Sequence, residues 1–188
     1  MIPAILLAAG QASRYGRPKL LEPFQGETLL RRAARTLRGA GCDPLIVVVA
    51  PSQALRAEVD DLHPILVENP SHALGISHSI ALGVEALPAG AEAVLIAVAD
   101  QPLVSEDVIR ALLRAFEPGL IVAPRYGADR GNPRVYDRRF FAELSELQGD
   151  RGAQTLADRH PEAVREVALA ERHGLDIDTP DDWRKLAR

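Results

Sequence analysis

Residues 3–19 read Pro3-Ala4-Ile5-Leu6-Leu7-Ala8-Ala9-Gly10-Gln11-Ala12-Ser13-Arg14-Tyr15-Gly16-Arg17-Pro18-Lys19. An apolar run without polar alternation passes directly into a loop of small residues and cations. Uniformly apolar runs of this length are typical of parallel strands that are covered on both faces. The stretch therefore predicts a buried first strand with a ligand-binding loop at its carboxyl end, where open α/β sheets bind their ligands.

The rest of the chain repeats this alternation of apolar runs and helical segments. Further apolar runs occupy residues 45–49, 65–67, 93–98 and 120–123. Segments of helical periodicity occupy residues 28–38, 51–60, 75–87 and 105–116. Short connections in this order predict a Rossmann-like α/β fold, a three-layer sandwich with a mostly parallel sheet and right-handed crossovers. After Ala123 the alternation stops, and residues 124–133 are interpreted as a polar loop.

Composition and charge exclude several classes of protein. Apolar residues make up 47% of the 188 residues and charged residues 26%, which excludes a disordered chain and fits a single domain over residues 1–188. A net charge of −4 without a long basic run argues against a nucleic-acid partner. We find no membrane-spanning run, no targeting segment and only one cysteine, Cys42, and we expect a cytoplasmic protein without disulfides.

The loop after the first run suits a phosphate ligand. Ala8, Ala9 and Gly10 let backbone amides approach a ligand closely. Arg14 and Lys19 place positive charge in the same loop. The pattern is neither G-x-G-x-x-G nor G-x-x-x-x-G-K-[ST], so neither a Rossmann dinucleotide site nor a P-loop is indicated. The alternative is a surface loop whose cations are solvated.

Aspartates mark a second part of the expected site. Asp100 ends the run at 93–98, where a divalent metal carrying phosphates would be held. An aspartate at a turn often only caps it, but Ser105 already supplies the cap of the next helix. Asp176 and Asp178 alternate on an extended segment and point to one face, which is equally compatible with a second metal ligand and with solvation. Asp182 is interpreted as part of a helix start.

A helix start after the run at 65–67 offers further polar groups. Backbone amides there, with the hydroxyls of Ser77 and Ser79, would bind the base or the ribose of a nucleotide. Serine is also common at helix starts for capping alone. His72 and His78 lack a third ligand at metal spacing and are interpreted as surface histidines.

Taken together, these motifs resemble the molybdenum-cofactor nucleotidyltransferases, most closely their cytidylyltransferase branch. The matching segments, in chain order, are Leu7-Ala8-Ala9-Gly10-x-x-Ser13-Arg14-x-Gly16-x-Pro18-Lys19, Asn69-Pro70, Ser77, Asp100-Gln101-Pro102, Gly131-Asn132-Pro133, Gly149-Asp150-x-Gly152-Ala153 and Asp176-Ile177-Asp178-Thr179-Pro180. They span nearly the whole chain. One departure is Tyr15, which stands where the family usually has methionine. The resemblance implies a fold of the nucleotide-diphospho-sugar transferase type.

The resemblance also implies a reaction and its residues. The reaction is Mg²⁺-dependent transfer of CMP from CTP to the phosphate of molybdopterin, with release of pyrophosphate. The implied catalytic residues are Arg14, Lys19 and Asp100, and the implied metal ligands are Asp100 and Asp178, with Asp176 as the alternative to Asp178. The implied nucleotide-binding residues are Leu7, Ala8, Ala9, Gly10, Ser13, Lys19, Asn69, Ser77 and Asp100. The implied acceptor-binding residues are Gln101, Pro102, Gly131, Asn132, Pro133 and Asp150.

The identity of the base rests on Ala9 and on the resemblance of Asp100-Gln101-Pro102 and Gly131-Asn132-Pro133 to the cytidylyl branch. Relatives that use guanine usually carry glycine where Ala9 stands, and the extra methyl group favours a pyrimidine. Many sugar-phosphate nucleotidyltransferases share Ala-Ala-Gly, however. The alternatives are therefore a guanylyltransferase of the same cofactor, a nucleotidyltransferase for another phosphorylated acceptor, and a non-catalytic module that carries nucleotide or molybdopterin to a recipient molybdoenzyme.

Overall fold

The protein is represented by a computed structural model that describes residues 1–10 and 18–186. The strands in this part of the chain are β1 Ala4–Ala8, β2 Pro23–Phe24, β3 Glu27–Thr28, β4 Leu45–Val49, β5 Ile65–Glu68, β6 Ala93–Val98, β7 Ile121–Tyr126, β8 Asp129–Arg130, β9 Arg134–Asp137 and β10 Val164–Leu169. All except β2 and β3, which pair with each other, belong to one sheet. The five apolar runs of the sequence therefore all form strands, as predicted.

Strand order in the main sheet is β10-β7-β9-β6-β1-β4-β5, with β8 added along β7. The β6-β1-β4-β5 half is parallel throughout, and Ala4 of β1 lies opposite Leu45 on one side and Leu95 on the other. β10 is parallel to β7, whereas β9 is antiparallel to both of its neighbours. The prediction of a mostly parallel sheet is confirmed, and β1 lies near its centre.

Helices cover both faces of this sheet. They are α1 Leu29–Gly39, α2 Gln53–Ala57, α3 Ile76–Glu85, α4 Glu106–Ala115, α5 Phe141–Ser145, α6 Gln154–Arg159 and α7 Trp183–Leu186. Leu6 of β1 packs in a core with side chains of α1, α2 and α4, and its neighbours Ile5 and Leu7 pack in a second core with α3, α5 and α6. Alternate side chains of a strand point to opposite faces, so the three-layer α/β sandwich is confirmed. In the described ranges, no helix is both long and apolar enough to cross a membrane.

Side-chain caps explain where α1 and α4 begin. Thr28 Oγ1 accepts a hydrogen bond from Arg31 N at 3.2 Å, and Ser105 Oγ accepts one from Val108 N at 3.4 Å. Both hydroxyls satisfy amides that have no partner inside the helix. The prediction of a helix over residues 51–60 is too long, because Ser52 caps α2 and the α-helix ends at Ala57.

The sequence interpretation is wrong for part of the segment after Ala123. Residues 124–126 continue β7, and residues 129–130 form β8 rather than part of a loop. β9 then enters the sheet between β6 and β7. β9 is only four residues long and is charged at both ends, so its sequence has no strand signal of the kind that marks β1.

Cys42 lies behind the C-terminal end of α1 and is 1% exposed. Burial raises the pKa of its thiol to about 12. The thiolate is the reactive form of cysteine, so the structure agrees with a structural thiol rather than a nucleophile.

Candidate active site

The carboxyl ends of β1 and β6 meet because the two strands are parallel neighbours. β1 leads into the loop that begins at Ala9 and Gly10, and β6 leads into Asp100. The C-terminal segment joins them, since Ile177 N donates a hydrogen bond to Asp100 O at 3.0 Å. Residues that are far apart in the sequence are thereby brought to one edge of the sheet.

Lys19 lies at the centre of this edge. Its Nζ is 2.8 Å from Asp100 Oδ2, 3.1 Å from Asp178 Oδ1 and 2.8 Å from the carbonyl oxygen of Ile177. The lysine side chain is 13% exposed. Desolvation opposes its charge, but the carboxylates of Asp100 and Asp178 outweigh this effect and raise the pKa of the ammonium above its ordinary value of 10.5. Lys19 therefore acts as a fixed positive charge rather than as an acid or base.

Asp176 lies beside this cluster and faces the neighbouring cavity. Desolvation, together with the nearby carboxylates of Asp100 and Asp178, raises the pKa of Asp176 to about 6, while a hydrogen bond from Gln101 and the charge of Lys19 act in the opposite direction. Asp178, not Asp176, is the residue that contacts Lys19 directly.

The carboxylates of Asp100 and Asp178 converge on one point, the Lys19 ammonium. Within residues 1–10 and 18–186, no group of three acidic, histidine or cysteine side chains is arranged to hold a metal by itself. Mg²⁺ is commonly held by one or two carboxylates together with phosphate oxygens. The residues present therefore fit a cation shared with a phosphorylated ligand, and they do not form a cage made by the protein alone.

A capping box holds the segment that carries Asp178. Asp182 Oδ2 accepts hydrogen bonds from the backbone amides of Asp178 at 3.0 Å and Thr179 at 2.8 Å, and from the Thr179 hydroxyl at 2.9 Å. This is the pattern that stabilises a helix start. The structural role predicted for Asp182 is confirmed, and its effect is to fix Asp178 beside Lys19.

A first cavity of about 430 Å³ opens above the β1 end. Of the predicted nucleotide-binding residues, its walls include Leu7, Ala8, Ala9, Gly10, Lys19 and Asp100. Its volume lies within the range usual for small-molecule sites. Ser13 and Arg14 belong to the segment 11–17, outside the described residues.

Asn69 and Ser77 support the wall of this cavity from behind. Asn69 is fully buried; its Nδ2 donates to Ser79 Oγ at 2.9 Å, and its Oδ1 accepts from Ser71 N at 3.0 Å. Ser79 lines the cavity. Ser77 is buried as well, and its amide donates to Gly149 O at 3.2 Å. Direct contact of Asn69 and Ser77 with a nucleotide remains a prediction.

A second cavity of about 850 Å³ adjoins the first. Ile76 and Asp150 line both cavities and so form their common border. Of the predicted acceptor-binding residues, its walls include Gln101, Gly131, Asn132 and Asp150. Pro102 and Pro133 are next to these residues in the chain but are not among the described lining residues.

The lining residues that the sequence did not predict include His72, Tyr126 and Arg134. His72, interpreted as a surface histidine, lines the first cavity with a buried Nδ1 that lacks a hydrogen-bond partner in the described structure. Tyr126 and Arg134 line the second cavity, and the Tyr126 hydroxyl donates to Asn132 O at 2.9 Å. The only sequence signal was a charged residue, Arg134, directly after the Gly131-Asn132-Pro133 motif.

Gly75, at the start of α3, makes the border between the two cavities possible. Its φ is +102° and its ψ is 174°, a conformation that is essentially restricted to glycine. A Cβ atom there would overlap the backbone carbonyl of Gly149 and lie 2.8 Å from Asp150 Oδ1. The loop that carries Asp150 thus packs directly on this glycine.

We expect Gly75→Ala to lower the free energy of unfolding by about 2 kcal/mol, because backbone strain and overlap add together. The midpoint of urea unfolding measures this effect. Gly90→Ala is the matched control, since a Cβ at Gly90 would meet nothing within 4 Å. Equal midpoints for the two variants would contradict the close approach of the Gly149 loop.

Comparison with known proteins identifies the family. A model of the MobA-like NTP transferase domain matches residues 4–164. The chain belongs to the MobA-like NTP transferase family. This MobA-like protein is 32% identical to nicotine blue oxidoreductase of Paenarthrobacter nicotinovorans over 98% of its own length and 96% of the relative's length.

Solved structures agree with the family assignment. The protein Rv0371c of Mycobacterium tuberculosis superimposes with a TM-score of 0.87 at 31% identity, covering 98% of this chain and 96% of that chain. Its complex with manganese gives a TM-score of 0.82 at 30% identity, covering 98% and 97% of the two chains. A nucleotidyl transferase of Methanothermobacter thermautotroptrophicus, at 23% identity, shares the fold with a TM-score of 0.86 over 99% of this chain and 95% of that chain.

The comparisons therefore confirm two predictions. The fold is that of the nucleotide-diphospho-sugar transferases, and the protein is a nucleotidyltransferase of the MobA-like type. Divalent metals are generally used in this family, and a manganese complex exists among the similar structures.

Proposed function

We propose that the protein, as a single domain over residues 1–188, transfers CMP from CTP to the phosphate of molybdopterin and releases pyrophosphate. The observation that carries this proposal is the position of the Lys19–Asp100–Asp178 cluster. Lys19 and Asp100 line the first cavity, while Asp176, on the same segment as Asp178, lines the second. A cluster of charged side chains between two adjoining cavities suits a reaction that joins a ligand in one cavity to a ligand in the other.

The reaction needs positioning and charge neutralisation rather than a protein nucleophile. CTP binds in the first cavity with its triphosphate near Lys19. The lysine ammonium neutralises part of the negative charge of the triphosphate. An oxygen of the acceptor phosphate, bound in the second cavity, attacks the α-phosphorus. The bond from the α-phosphorus to the bridging oxygen breaks, and pyrophosphate leaves with that oxygen. Mg²⁺, held by Asp100 and Asp178 together with phosphate oxygens, would supply further neutralisation of the phosphate charge.

Ala9 supports the choice of a pyrimidine. It is 2% exposed and lines the first cavity directly after β1. Its methyl group occupies space that a glycine would leave free for a larger base. The same position therefore provides a test of base choice: Ala9→Gly enlarges the first cavity and raises the relative rate with GTP.

Release of pyrophosphate, measured with each of the four nucleoside triphosphates and molybdopterin, tests the proposal. We expect turnover with CTP and Mg²⁺, and loss of turnover when EDTA removes the metal. Turnover with GTP only would overturn the choice of base. Binding of nucleotide without turnover in any combination would favour a carrier module instead.

The likeness to nicotine blue oxidoreductase favours one second candidate, a redox enzyme that holds a nucleotide cofactor in the first cavity. Oxidation of NADH or NADPH in the presence of a dye acceptor tests it. The Lys19–Asp100–Asp178 cluster supports nucleotidyl transfer over this candidate, because hydride transfer needs no charge cluster of this kind at a phosphate.

A further inference from the structure

Arg134 is a buried arginine without an acidic partner among the described residues. It is the first residue of β9, and it is 4% exposed. In the part of the chain that the structure describes, no carboxylate oxygen lies within 4.0 Å of its guanidinium. An unpaired buried charge is costly, so its presence calls for a physical reason.

The backbone carbonyls that accept hydrogen bonds from Arg134 use only part of the donor capacity of its guanidinium. Nε donates to Gly131 O at 2.7 Å, whereas Nη2 reaches Arg130 O only at 3.4 Å, which is long for a hydrogen bond. The guanidinium interacts with the buried Tyr136 hydroxyl, but Nη1 makes no hydrogen bond of good geometry among residues 1–10 and 18–186. An anion that contacts the guanidinium would match a charge that these neutral partners leave uncompensated.

The second cavity places Arg134 in a wall with more acidic than basic residues. Its described lining includes the acidic residues Asp129, Asp150, Glu171 and Asp176. Its other arginine, Arg130, is neutralised by Glu166, with Nε to Oε1 at 2.6 Å, and lies 3.8 Å from Asp158 Oδ1. Among the described lining residues, Arg134 is therefore the cation whose charge is not already matched.

We propose that Arg134 is an acceptor-positioning residue that binds the phosphate group of the acceptor in the second cavity. The surrounding carboxylates then accept hydrogen bonds from N–H groups on the body of the same molecule. The acceptor class is a phosphate monoester with a donor-rich heterocycle. This inference rests on the proposed function, because it takes the second cavity as the acceptor site.

Binding of inorganic phosphate tests the charge role without any acceptor. The melting temperature is followed against phosphate concentration in a Lys19→Ala background, which removes the lysine of the first cavity. Adding Arg134→Gln raises the half-saturating phosphate concentration by at least ~10-fold, the size expected for losing a hydrogen bond to a charged group. Arg138→Gln, which removes an exposed arginine paired with Glu92 outside both cavities, is the control and leaves it unchanged.

Arg134→Met keeps the experiment decisive if Arg134→Gln does not fold. Replacing a buried charge with an apolar side chain of similar size is often neutral or stabilising, and we expect the same loss of phosphate binding. Unchanged phosphate binding in a folded Gln or Met variant overturns the proposal. It would show that Arg134 serves only to hold the carbonyls of residues 130–131.

Steady-state kinetics then connects the site to the reaction. Arg134→Gln raises the KM for molybdopterin by at least ~10-fold and leaves the KM for CTP within about twofold. Arg134→Lys, which keeps the charge, recovers part of the loss. Equal changes in both KM values indicate a structural role and overturn the inference. Loss of phosphate binding in a protein that turns over no acceptor overturns the proposed function but leaves the anion site in place.

Discussion

Replacing Lys19 with alanine is expected to lower the rate of pyrophosphate release by at least ~100-fold, the scale typical of losing one preorganised electrostatic contact. The ammonium lies 2.8 Å from Asp100 Oδ2 and 3.1 Å from Asp178 Oδ1. Without it, these carboxylates face the incoming triphosphate uncompensated, and like charges at short range repel strongly in a partly buried site. Initial rates at saturating molybdopterin, with CTP varied, measure the effect.

Arg35→Ala is the matched control for the loss of a cation. The Arg35 side chain is 60% exposed and pairs with Glu27 at 3.0 Å on the surface of α1. Exposed ion pairs contribute little, so its rate stays within about twofold of the wild type. A thermal melt of both variants establishes that they are folded. A folded Lys19→Ala protein with a near-normal rate would contradict the role given to the lysine.

Asp100→Asn is expected to lower the same rate by at least ~100-fold. The substitution keeps the shape of the side chain and an oxygen that accepts from Lys19, but it removes the negative charge on which a divalent cation depends. The Mg²⁺ concentration for half-maximal rate therefore rises as well. Rates measured across a series of Mg²⁺ concentrations separate this effect from a loss of nucleotide binding.

Asp61→Asn provides the comparison for Asp100. Asp61 also pairs with a cation, Arg31 Nη2 at 2.6 Å, but its side chain is 59% exposed and lines neither cavity. We expect its rate and its Mg²⁺ dependence to match the wild type. If Asp100→Asn behaves like Asp61→Asn, Asp100 has only the turn-capping role that the sequence also allowed.

The sequence predicted the strands at the centre of the sheet well and those after Ala123 poorly. β1, β4 and β6 are buried on both faces, and each appears as an uninterrupted apolar run. β9 is short, charged at its ends and antiparallel, and its place between β6 and β7 depends on pairing with strands that lie elsewhere in the chain. Such pairing has no local signature, and the sequence therefore did not predict β9.

The sequence likewise predicted some residues of the candidate site and missed others. Strand-end position predicted that Asp100 and the loop of Lys19 belong together, and the resemblance added Asp178. The structure added Arg134, which is important because no carboxylate of the described residues pairs with its buried guanidinium. A sequence shows that an arginine is present. It does not show that Glu166 neutralises Arg130, whereas Arg134 has no such carboxylate in the part of the chain that the structure describes.

By itself, the sequence determined that a buried parallel strand carries the loop of residues 8–19, because burial on both faces requires an unbroken apolar run and ligands bind at carboxyl ends. Only the tertiary structure decided how the C-terminal segment contacts Lys19 and where the two cavities meet. The contacts that do this, from Lys19 to Asp178 and from Gly75 to Gly149, join residues distant in the chain. They depend on packing in three dimensions, which no local pattern encodes.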